Sequence, residues 1–199
     1  MKKSLLGLLL AVAMVVPAFA AKGDMSIDAK LGLGVNSNVS AEYAGMKMGL
    51  QVDMPFMLGA EFFYGTSDLL SVGFGVNYVF DTTAKYKIGD QAELKGGTTN
   101  IYVAVKPEFK VESNIFSSVY LIGQFGLSMG RAEVDMPDAP SLDVDSGIYL
   151  GAGFGTIIKD AFLVELVFSS CNGSLDIDEQ SLDLQYTITS INVGYKFNI

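Results

Sequence analysis

The sequence predicts an all-β fold: a closed, antiparallel, eight-stranded transmembrane β-barrel with up-and-down connections. Three observations predict it. Apolar and polar residues alternate with a period of two through eight segments. Mean hydropathy is high at +0.37, yet no apolar run after residue 20 approaches the length of a membrane helix. Short and long connections between the segments alternate strictly.

The N-terminus reads as an export signal over residues 1–20. Lys2 and Lys3 form a basic region, Leu5 to Val16 an apolar one, and Pro17 breaks it before an Ala18-Phe19-Ala20 cleavage site. The apolar stretch is too short for a membrane anchor, and no cysteine follows the site, which argues against a lipoprotein. Residues 21–199 form one barrel domain. Losing the two lysines takes the formal charge from -9 to -11, which excludes nucleic acid as a partner because phosphate binding needs clustered Lys and Arg.

Strand 1 (26–36) sets Ile27, Ala29, Leu31, Leu33 and Val35 against Asp28, Lys30, Gly32 and Gly34. Strand 2 (47–65) carries the clearest alternation, with Leu50, Val52, Met54, Phe56, Leu58, Ala60, Phe62 and Tyr64 on one face and Asp53 and Glu61 on the other. Pro55 interrupts it, because a missing N–H breaks a ladder. A bulge there would leave 47–54 as a hairpin arm above the membrane. After strand 3 (69–80), strand 4 (98–111) opposes Ile101, Val103, Val105 and Phe109 to Tyr102, Ala104, Lys106, Glu108 and Lys110, with Pro107 near the periplasmic rim. Strand 5 (116–130) and the glycine-rich strand 6 (146–158) follow. Strand 7 (161–171) alternates Phe162, Val164, Leu166 and Phe168 with Leu163, Glu165 and Val167. Strand 8 (185–198) ends on Tyr195, Phe197 and, just beyond it, Ile199.

In hydrocarbon every backbone N–H and C=O must be paired, which a closed sheet achieves without helices. A charge facing lipid at midplane costs about 2–4 kcal/mol. The faces carrying Lys30, Lys47, Asp53, Glu61, Lys106, Glu108, Lys110, Glu165 and Lys196 are therefore predicted to point inward as a structural charge network. Gly73, Gly75, Gly151, Gly153 and Gly155 share those faces, leaving room for long side chains or else opening a narrow cavity. Tyr64, Tyr78, Phe80, Tyr195 and Phe197 are placed as interfacial girdles. Cys171 has no internal disulfide partner and reads as a small packed residue or a reactive thiol.

The long connections are expected at roughly 37–46, 81–97, 131–145 and 172–184. Those at 131–145 and 172–184 each carry a balance of -4. They read as a solvated outer surface, as a weak divalent-cation site at Asp143/Asp145 or Asp176/Asp178, or as a face for a basic ligand. The chain has no histidine, which removes His-based triads and His metal sites. No enzyme activity, catalytic residue, cofactor or metal is expected.

The export signal, eight amphipathic strands, four long outer connections, the glycine-aromatic Ser146–Thr156 and the terminal Gly194-Tyr195-Lys196-Phe197-Asn198-Ile199 resemble the small eight-stranded outer-membrane β-barrel family of Gram-negative bacteria, called porin-like or opacity-like. The resemblance implies outer-membrane lipid and lipopolysaccharide as surroundings. It also implies insertion by the barrel-assembly machinery after escort by periplasmic chaperones. Tyr195, Phe197 and Ile199 would be the assembly signal. The family usually ends in an aromatic residue, whereas here Phe197 stands two before the terminal Ile199. The expected function is a structural or surface-interaction role with a largely plugged, charged interior and an unidentified extracellular ligand. The alternative is a narrow porin-like channel or conduit for small or hydrophobic solutes.

Overall fold

Ten strands follow one another along the chain in the computed structural model, which describes residues 23–43, 46–85, 93–134, 142–177 and 180–199. They are β1 (Met25–Tyr43), β2 (Met46–Gln51), β3 (Phe56–Gly65), β4 (Leu70–Lys85), β5 (Glu93–Lys110), β6 (Phe116–Val134), β7 (Leu142–Asp143), β8 (Gly147–Ile158), β9 (Phe162–Ile177) and β10 (Gln180–Asn198). Eight of them pair in order as an antiparallel ring, β1-β3-β4-β5-β6-β8-β9-β10, and β10 closes on β1 from Ser26↔Asn198 to Glu42↔Asp183. β2 pairs with the far end of β1, and β7 with the far end of β6. The signal-peptide reading of residues 1–20 lies outside the described residues.

The ring is inverted relative to a soluble barrel. Leu33 and Phe74 keep 53% and 59% of their surface exposed, while Glu61 and Lys106 keep 1% each. Exposed apolar residues on every ring strand form a continuous outer band, and water is not the solvent that suits it.

The three short connections are tight turns, each for a local reason. Ser67 Oγ accepts from the backbone N–H groups of Leu69 and Leu70 between β3 and β4. Ser113 Oγ does the same for Ile115 and Phe116 between β5 and β6. Between β8 and β9, Lys159 and Asp160 both take left-handed φ values, 50° and 60°, the central positions of a turn closed by Ala161 N–H donating to Ile158 O at 3.2 Å.

The long connections differ from expectation. Much of 37–46, 81–97, 131–145 and 172–184 continues the ladders: β1 runs to Tyr43, β4 to Lys85, β6 to Val134 and β9 to Ile177. The barrel therefore projects outward as β-ribbons rather than loops. Polar residues hid this, because the alternation is legible only where one face meets lipid.

Three neighbouring strands bend at one level. β1 bulges against β10 between Gly34 and Asn36, and β4 slips against β5 between Val79 and Thr82. Between them Pro55 separates β2 from β3, and its carbonyl accepts from Gly34 N–H at 2.8 Å. A Cβ at position 34 would lie 2.5 Å from the Pro55 ring, so this approach needs glycine. The break reverses the phase of strand 2: Val52, expected outward, is buried, and Met54 is exposed. Pro107 faces Leu70, the first residue of β4, at the periplasmic end.

Candidate functional site in the barrel interior

The inward face of each strand is fixed by its alternation, so strand pairing decides which inward residues meet. Lys30 on β1 points across the lumen between two acids. Its Nζ lies 2.5 Å from Glu61 Oε2 on β3 and 2.7 Å from Glu165 Oε1 on β9. Tyr102 Oη on β5 and Gln124 Nε2 on β6 both donate to Glu61 Oε1, at 2.9 and 2.8 Å. Tyr149 Oη on β8 donates to Gln124 Oε1 at 2.8 Å, and Tyr120 Oη on β6 donates to Glu165 Oε1 at 2.8 Å. A second buried pair joins Lys106 to Asp28, with the ammonium 4.1 Å from the Phe63 ring centroid and 4.7 Å from that of Tyr120.

This is chemistry for holding strands together. Buried charge is tolerable only when paired and hydrogen-bonded. Here two ammonium groups serve three carboxylates, and phenol and amide donors supply the rest. The network joins adjacent strands, as in Lys30–Glu61 and Tyr149–Gln124, and strands up to three places apart, as in Lys106–Asp28 and Gln124–Glu61.

Glycine makes the geometry fit. A Cβ at Gly75 would lie 2.7 Å from both Glu61 Cγ and the Tyr102 ring, and one at Gly155 would lie 2.6 Å from the Tyr120 ring. Each aromatic ring thus sits over a glycine on another strand.

Lys30, Glu61, Lys106 and Glu165 are brought into the interior. Glu108 and Lys196 meet at 3.4 Å at the periplasmic rim, half-buried, where Ser118 Oγ donates to Glu108 Oε1 at 2.8 Å. Two expected members are not buried. Lys110 is exposed at the periplasmic end of β5, beyond the lumen. Asp53 is exposed because the Pro55 break gives the inward position to Val52. Lys47 is in β2, and its side chain lies outside the described residues. So do the side chains of Asp143, Asp176 and Asp178. Sequence reasoning left Asp28, Tyr120, Gln124 and Tyr149 out of the network. The signal for Asp28 was its phase with Lys30. The tyrosines and Gln124 carried no such mark, since a ring suits either face and an amide bears no charge.

Tyr195 and Phe197 face outward, 4.7 Å apart between ring centroids, and Phe162 packs edge-on against Tyr195 at 5.4 Å. Ile199 N–H donates to Met25 O at 2.9 Å, fastening the chain end to β1. At the outer end Phe80 contacts Phe56 and Tyr78 at 5.4 and 4.9 Å.

The lipid-facing band, the ring of eight strands and the charged interior now stand beside a sequence match. Residues 6–197 match the family described as outer membrane protein beta-barrel domain. The chain belongs to that family. It is accordingly an integral barrel of the outer membrane of a Gram-negative bacterium. Curated protein sequences give no match. Among solved structures, it is similar to Ail of Yersinia pestis, at 14% identity and TM-score 0.48, covering 89% of this chain and 100% of that one. It is similar to OprG of Pseudomonas aeruginosa, at 17% identity and TM-score 0.48, covering 88% and 96%. Neisserial surface protein A matches at 16% identity and TM-score 0.49, covering 87% and 97%.

Proposed function

We propose that this outer-membrane barrel has a structural or surface-interaction role and does not conduct. One observation carries the reading. Around Lys30, Glu61 and Glu165 the lumen retains a void of only about 20 Å³, room for about one water. A hydrated ion entering there would have to part Lys30 from both carboxylates. The outward ribbons supply the surface for contact outside the cell, and their acidity favours a basic partner over an anionic one. The absence of histidine from the sequence supports a non-enzymatic role. During biogenesis the protein would depend on periplasmic chaperones and the barrel-assembly machinery, with Tyr195, Phe197 and Ile199 as the segment read.

Purified barrel reconstituted in planar lipid bilayers should show no discrete conductance steps. Reproducible steps that change size in Lys30→Met would overturn the reading. The alternative, a narrow conduit for small or hydrophobic solutes, is favoured by a cavity at the outer end of the lumen. It requires uptake of such a solute to fall on deletion of the protein.

A further inference from the structure

We propose that the outer end of the lumen is a binding pocket for a small, neutral, largely apolar molecule with one ring or a short chain and a single hydrogen-bonding group. Above the charged network the interior changes character. A cavity of about 90 Å³ opens outward there, walled by Val39, Val52, Val144, Leu184, Cys171 and Tyr186. Tyr186, on its wall, packs against the buried cluster Met57, Val79 and Ile188.

Two features set it apart from the lumen below. In the lower half, glycine hollows are filled by tyrosine rings. In the upper half Gly96, Gly97, Gly130 and Gly173 line the wall, and Val144 is the side chain nearest to Gly130 and Gly173. One valine and the Asp81–Arg131 pair at Gly97 stand where rings stand below, and the space they leave open is mainly apolar. Moreover, Thr82, Thr98 and Ser128 line it as well, and their hydroxyls supply a partner for a ligand carrying one donor or acceptor.

Charge selects against ions. Arg131 lies at the mouth, but its guanidinium is held by Tyr78 Oη at 2.6 Å and Asp81 Oδ1 at 2.7 Å. The mouth therefore presents no uncommitted cation for an anion; Asp145, the carboxylate on the lining, is exposed to solvent, and a cation drawn past it into the apolar interior would lose water without replacing it. The volume suits a ligand no larger than one ring, since a cavity of about 150 Å³ accepts benzene and this one is open on its outer side.

Cys171, the single cysteine, lines the cavity and reports on it. The test uses the full barrel in lipid vesicles, methyl methanethiosulfonate as thiol reagent and 4-methylphenol as probe. Cys171 should react in the folded protein, and the probe should slow the reaction saturably, about tenfold at ten times its dissociation constant. Leu184→Trp, which fills the cavity, should abolish both reaction and protection. Val52→Phe is a second filling variant in case the first misfolds, with the folded state checked by heat-dependent gel mobility. A lipid-facing control, Cys171→Ser with Val105→Cys, should show no saturable slowing. The proposal is overturned if Cys171 reacts only after unfolding, if the probe leaves its rate unchanged, or if the control is slowed equally. Conductance reads closure of the lumen and thiol protection reads the pocket, so either can fail without the other.

Discussion

Lys30 is the residue whose loss should matter most. Lys30→Met leaves Glu61 and Glu165 buried without their shared ammonium, a change that costs about 3–5 kcal/mol when a buried pair loses one partner. Urea unfolding in lipid vesicles, followed by tyrosine fluorescence, should show that loss. Replacing all three residues by apolar side chains of similar volume should cost much less, because no charge is then left behind. A smaller penalty belongs to Gly75→Val, whose branches would collide with Glu61 and Tyr102. Overpacking of this kind costs about 1–3 kcal/mol, and the same unfolding measurement reads it.

At the scale of the element, two features invite change. The β8–β9 turn holds two non-glycine residues at positive φ, each at a cost of roughly 1 kcal/mol. Lys159→Asn with Asp160→Gly supplies residues suited to that turn and should stabilise the barrel by about 1 kcal/mol in the same unfolding assay. β5 shows how an element divides its two solvents. Spin labels at Lys106 and Val105 should report opposite surroundings, with the label at 105 in contact with lipid-soluble relaxation agents and the one at 106 shielded. The reverse result would refute the assignment of faces on which the whole architecture rests. The bend shared by β1, β3 and β4 has a different cause: one proline without an N–H and one glycine that lets its carbonyl approach.

For the whole molecule, the membrane is the solvent that makes the fold stable. Phe125, in the middle of β6, keeps 49% of its surface exposed to that solvent. Phe125→Arg should destabilise the folded barrel by about 2–4 kcal/mol in bilayers. An inward substitution such as Gln124→Asn should leave membrane insertion intact while disturbing the network.

Alternation alone determined which side of each strand meets lipid, because side chains on a strand point to opposite faces and charge is excluded from hydrocarbon. The short turns and the strand count were legible for the same reason. Alternation said nothing about which inward residues meet. Lys30 reaches Glu165 across 135 positions of chain, and only the pairing register of the closed ring brings them together. Nor did it show that the outer connections continue as ribbons, since a strand wetted on both faces carries no two-residue pattern. The Pro55 break reversed the phase expected for Val52, and that reversal gives the outer cavity one of its apolar walls. Facing is a local property of two successive residues. Contact across the lumen depends on ring closure, which no segment encodes by itself.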